Sequence, residues 1–158
     1  MSEAVLLPEG TTTERTIRIQ RRLDAIPDRI YRAWTNPDSL ARWFPDRVEG
    51  SLAPGSRTTL VWARARSWWE ILTAEAPRLV VARHAWGDPA PATSLTTTFT
   101  VRIEPLGMGS MVTIEDGPFK LDRPGHLDAW GEANAVWTLA LSQLRAYVDF
   151  SVDLRERP

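Results

Sequence analysis

Residues 23–44 read LDAIPDRIYRAWTNPDSLARWF, two short helical patterns divided by an Asn-Pro break. Pro27 suits a first helical turn, where its missing N–H is no loss. Ile30, Tyr31 and Trp34 then fall on one face at helical spacing, and Asn36-Pro37 punctuates the end. A second short helix over 38–43 presents Leu40, Trp43 and Phe44. An alternating, strand-like run precedes the pair, with Ile17, Ile19 and Arg21 on one side and Arg18, Gln20 and Arg22 on the other. A strand that delivers two brief, aromatic-rich helices is expected to carry them across one end of a sheet.

Working outward, residues 58–64 place Leu60 beside Trp62, and 67–73 place Trp69 beside Ile71; both read as strands. Residues 79–86 begin apolar and then carry Arg83 and His84. The clearest alternation runs over 94–104, with Leu95, Thr97, Phe99, Val101 and Ile103 opposite Thr96, Thr98, Thr100 and Arg102. Pro105 and Leu106-Gly107-Met108-Gly109 mark a hairpin turn, while the Gly- and Pro-rich stretch 87–93 reads as a loop. After Gly117, Pro118 and Pro124 comes the longest helical pattern. There Leu127, Trp130, Asn134, Trp137, Leu141, Leu144 and Val148 recur at steps of three and four as one buried stripe. Antiparallel strands with a helix laid on one side define an α+β domain. The expected organisation is one domain over residues 12–150, with a flexible tail at 1–11 and another tail at 151–158.

The segment 23–44 resembles the opening signature of the activator of heat-shock-protein-90 ATPase homologue family, within the START-like superfamily. That pattern runs roughly Ala-x-Pro-x-x-Val-Trp-x-Ala-Leu-Thr-x-Pro-x-x-Leu-x-x-Trp-Phe. Its positions are held here by Ala25, Pro27, Ile30, Tyr31, Ala33, Trp34, Thr35, Pro37, Leu40, Trp43 and Phe44. Gly55, the strand opening Pro77-Arg78-Leu79-Val80, the late strand 109–114 and a final helix with Trp137, Leu141 and Leu144 agree in order, so the resemblance spans about residues 14–150. Val136 stands where the family usually has glycine, and Arg83 where it has tryptophan; these departures bear on a cavity lining rather than on the fold. The resemblance implies a helix-grip: a curved antiparallel sheet of about seven strands around the C-terminal helix, two short helices, and a cavity left between sheet and helix.

Composition narrows the functional classes. The 158 residues carry 19 basic and 20 acidic side chains, without the basic excess typical of nucleic-acid binders. No cysteine is present, which removes disulfides, thiolate nucleophiles and zinc-thiolate sites. The first residues lack a basic n-region and an apolar run long enough for a signal peptide or membrane span, so a cytoplasmic protein is the expectation. His84 and His126 have no ligand-spaced partners, so no metal site is expected. No Gly-x-Ser-x-Gly elbow and no phosphate-cradling glycine loop occurs. No catalytic constellation and no cofactor are expected from these residues.

What remains is polar side chains on apolar faces. Asn134 interrupts the helix stripe between Trp130 and Trp137, and a buried amide needs a partner, either internal or a ligand. Strand parity through Val112 and Ile114 carries Asp116 inward, near the expected cavity mouth or as a turn former before Gly117. Arg21, Arg64 and Arg83 also follow inward parity in this reading. Among eight tryptophans, Trp34, Trp43 and Trp137 occupy packing positions of the family pattern. Trp62, Trp69 and Trp130 suit a pocket wall, and Trp68 and Trp86 suit an exposed partner surface. The expected ligand cavity is therefore lined by Trp62, Trp69, Phe99, Asp116, Trp130 and Asn134.

Two functional classes follow from the resemblance. One is a domain that binds a small hydrophobic or aromatic molecule in its cavity, with a cyclase- or hydratase-like enzyme acting on a polyketide-type substrate as its catalytic variant. The other is a co-chaperone-type interaction domain stimulating a heat-shock-protein-90 ATPase. Arg15, Arg18 and Arg22, of exposed parity on the first strand, are its obvious contacts by charge.

Overall fold

The computed structural model describes residues 13–86 and 95–155; the expected N-terminal tail and the loop at 87–93 lie outside these. The chain runs β1 (Glu14–Leu23), α1 (Pro27–Thr35), α2 (Pro37–Leu40), β2 (Arg47–Glu49), β3 (Arg57–Trp62), β4 (Ala65–Glu75), β5 (Leu79–Trp86), β6 (Leu95–Leu106), β7 (Gly109–Lys120) and α3 (His126–Phe150). The seven strands form one antiparallel sheet in the order β1-β7-β6-β5-β4-β3-β2. This is the α+β helix-grip architecture. Among the described residues no helix is long and apolar enough to cross a membrane.

The 23–44 segment folds for local reasons. Pro27 occupies the first turn of α1, and Ile30, Ala33 and Trp34 form its buried face. Asn36 then caps α2, its Oδ1 accepting from Ser39 N at 3.0 Å. Pro37 has no N–H to offer the Ala33 carbonyl, which lies four residues back, where a helical donor would come from. Trp43 supplies the missing donor: its Nε1 donates to Ala33 O at 3.0 Å. The second helix is shorter than expected, and residues 41–44 follow it as a turn that turns Trp43 and Phe44 into the core.

Trp137, Leu141 and Leu144 are buried on α3, as the stripe requires. Its first half differs from expectation. Leu127 is 57% exposed, Trp130 and Asn134 are half-buried, and Ala129 and Ala133 face the core instead. The three-four spacing fits two neighbouring helix faces, and small alanines let the helix lie close to its support; the backbone of α3 approaches β1, β7 and α1 most closely. The end of α3 is tied to the β1–α1 junction, because Asp149 accepts from Asp24 N and Ala25 N, each at 2.9 Å. Residues 151–155 fold back, and Arg155 donates to the carbonyls of Ala41, Arg42 and Pro45 while pairing with Asp153.

The β6–β7 hairpin turns at Gly107-Met108, with Leu106 opposite Gly109. Gly107 has φ of 59° and Met108 a negative φ, the type II′ pattern matched to strand twist. Gly109 is needed for a different reason. A Cβ there would lie 2.3 Å from Leu23 O and 3.1 Å from Asp24 Cα, both backbone atoms. Gly109→Ala is therefore expected to cost about 1–3 kcal/mol by forcing β1 and β7 apart. Urea unfolding checks this, and wild-type stability would refute the close approach.

Candidate functional site

Three adjacent strands turn a polar cluster into the interior. On β5 the inward residues are Val80, Ala82, His84 and Trp86; on β6, Thr97, Phe99, Val101 and Ile103; on β7, Val112, Ile114 and Asp116. Register places His84 opposite Thr97, and Phe99 opposite both Ala82 and Asp116. Asp116 is wholly inaccessible to solvent. Its Oδ2 lies 2.9 Å from His84 Nε2 and accepts from Trp137 Nε1 at 2.8 Å, while its Oδ1 accepts from Thr97 Oγ1 at 2.6 Å. Thr97 in turn accepts from Trp86 Nε1 at 2.9 Å.

Donor chemistry sets the direction of this network. An indole N–H can only donate, so Thr97 receives from Trp86 and gives its own proton to Asp116. Asp116 is thus the common acceptor of three elements, and an ionised Asp116 requires the proton of His84 to sit on Nε2. A buried carboxylate without such partners would be strongly destabilising.

Aromatic rings enclose this cluster. Trp137 sits 5.0 Å from Phe99, 5.6 Å from His84, 6.2 Å from Phe44, 6.3 Å from Trp34 and 6.5 Å from Trp86 between ring centres. Trp34 meets Trp43 edge-on at 4.9 Å and stacks on Trp69 at 6.1 Å, and Trp69 meets Phe99 at 5.0 Å. One polar atom in this assembly stands out. The Nε1 of fully buried Trp34 has no hydrogen-bond partner among the described residues, although buried indole N–H groups usually find one. At the edge of the cluster Tyr31 is half-buried, and burial pushes its phenol up from the ordinary value, keeping the hydroxyl neutral to higher pH.

The residues expected to line a cavity separate into two groups. Trp69, Phe99 and Asp116 meet within the interior. Trp62 is half-buried at its rim, edge-on to Phe44 at 5.2 Å and donating to Phe44 O at 3.0 Å. Trp130 and Asn134 lie along α3, where Asn134 Nδ2 donates to Trp130 O at 2.8 Å; the amide that interrupts the stripe has a partner within its own helix. Asp116 is neither a turn former nor at a mouth, since β7 continues to Lys120. Trp86 is buried rather than exposed, and Arg83 and Arg64 point outward. Trp68 is half-buried beneath the Arg57 guanidinium, 4.1 Å from its ring centre. His84, Thr97, Trp86 and Trp34 were not among the expected site residues. The alternation Val80-Ala82-His84-Trp86 was the available signal for two of them.

Fold and interior together define a START-like helix-grip domain. A family model described as activator of Hsp90 ATPase homolog 1-like protein matches residues 24–149, and the chain belongs to that family. Solved structures agree on the fold. The Aha1 dimer from Colwellia psychrerythraea is 18% identical with a TM-score of 0.73, over 86% of this chain and 97% of the other. Protein MLL2253 from Mesorhizobium loti is 23% identical with a TM-score of 0.72, over 83% and 94%. DynU16, from the dynemicin biosynthetic locus, is 18% identical with a TM-score of 0.75, over 89% of this chain and 49% of the other. Among curated proteins none matches the chain significantly.

Proposed function

We propose that this domain binds a small hydrophobic or aromatic molecule bearing an oxygen acceptor, held between the sheet and α3. The observation that carries this reading is the unpartnered Trp34 N–H, a fixed donor buried among aromatic rings. Ligand sites of this kind combine apolar walls with few oriented polar groups. Trp69 and Phe99 would supply walls, Trp62 and Trp130 the half-exposed rim, and Asp116 and Asn134 the remaining polarity. The interior rings touch one another, so an entering ligand displaces side chains and its arrival is read in indole emission. The fold shared with DynU16 makes polyketide-like aromatics a sensible first set of compounds, whether carried or converted.

The test compares two tryptophans of equal volume. Trp34→Phe and Trp43→Phe remove the same atoms from neighbouring buried rings, but only Trp43 has a partner to strand. Without ligand, Trp43→Phe should cost about 1–3 kcal/mol more than Trp34→Phe. With a compound that raises the melting temperature of the wild type, Trp34→Phe should lose most of that rise. A screen of lipids, flavonoid-like and polyketide-like compounds without any thermal shift would defeat the proposal. Stimulation of a heat-shock-protein-90 ATPase that Trp34→Phe leaves intact, in the absence of ligand binding, would put the interaction reading in its place.

A further inference from the structure

We infer that the outer corner between α1, α2 and the end of α3 is a binding site for a small soluble molecule carrying a phosphate or diphosphate group. Two adjoining clefts, of about 490 and 440 Å³, share Arg29 and Tyr147 in their walls. The first adds Arg42 and the folded-back residues 151–155, and the second adds Arg32, Asn36 and Ser39. Arg29 and Arg32 stand three residues apart on α1 and so share a face. This site is separate from the interior and does not rest on the reading given above.

Exposed arginines without an ion pair among the described residues also occur on β1 (Arg18, Arg22) and β5 (Arg83), but here three of them border the two clefts. Arg47, Arg57, Arg66, Arg78, Arg102, Arg145 and Arg155 each have a carboxylate within ion-pair distance. Arg29, Arg32 and Arg42 are exposed and have none among the described residues. Asp153, in the wall of the first cleft, is gripped by Arg155 at 2.9 Å through both of its oxygens. Asn36 Oδ1 is occupied by Ser39 N, which leaves the Asn36 amide N–H groups as donors. Three like charges gathered on one corner repel one another, and a multivalent anion relieves that repulsion. Guanidinium forks match phosphoryl oxygens in pairs. Guanidinium groups distributed over two adjoining clefts suit two linked phosphoryl groups better than a single carboxylate. The net charge of −1 conceals this corner.

Calorimetric titration of the full chain with inorganic pyrophosphate at low salt tests the inference. One saturable site per chain is expected, weakened by added salt and about tenfold weaker in Arg29→Ala, the loss of one charge-assisted contact. Arg29→Lys, which keeps the charge but not the fork, should fall between. Arg102→Ala changes the net charge equally at a distant strand and should bind as the wild type does. Circular dichroism confirms that each variant is folded, and titration with inorganic phosphate and with phosphatidic-acid vesicles completes the comparison. Absence of saturable pyrophosphate binding, equal loss in Arg102→Ala, or an unaffected Arg29→Ala would overturn the inference. Binding to vesicles with none to pyrophosphate would also overturn it, in favour of a lipid surface.

Discussion

Asp116→Ala is expected to remove about 3–5 kcal/mol of stability, the cost of breaking a buried, multiply bonded polar cluster. The substitution strands the Trp137 N–H, the Thr97 hydroxyl and one His84 nitrogen at once, in an interior closed to water. Asp116→Asn should be milder, since an amide oxygen still accepts from one of these donors. Urea unfolding monitored by indole emission reads both. A loss below about 1 kcal/mol in Asp116→Ala would mean that the cluster does not act as a unit, because even one stranded buried donor costs that much.

Trp137→Ala should be as severe, at about 3–5 kcal/mol for a large buried aromatic. Its ring touches residues from the α2–β2 turn, α1, β5 and β6, and its N–H reaches β7. Few other side chains hold helix and sheet together at so many points. Trp137→Phe separates the two contributions, retaining most of the packing while losing the bond to Asp116. Against a typical domain stability of about 5–15 kcal/mol, Trp137→Ala leaves a marginal fold, seen as a lowered melting temperature. A variant melting within a few degrees of the wild type would show that the core closes around the gap.

The contrast between β6 and β5 shows what a sequence can disclose here. On β6, threonines alternate with larger apolar residues, and a period of two assigns Thr97 and Phe99 inward without ambiguity. On β5 the run Leu79-Val80-Val81-Ala82 is apolar on both faces, so parity has nothing to count from. His84 and Arg83 are consequently exchanged in the reading from sequence. A strand as short as Arg47–Glu49 carries no period at all. On α3 the bulk of Leu127 and Trp130 outweighs Ala129 and Ala133, although the alanines are the buried ones. The family signature at 23–44 secures the fold. By contrast, the Trp34 N–H without a partner depends on positions of single atoms that no pattern of residue types encodes.

The pairing of β1 with β7 has a kinetic meaning. Among the described residues the first strand of the sheet pairs only with the last, with Ile17 set against Asp116. Until β7 exists, β1 has no strand to pair with. The entropy of closing that long loop is spent before the contacts that reward it form. Such a topology belongs with the slower folders of its size. During synthesis the emerging chain also carries the bare edge of β1, and on that edge Arg18 and Arg22 guard against pairing with a neighbouring chain.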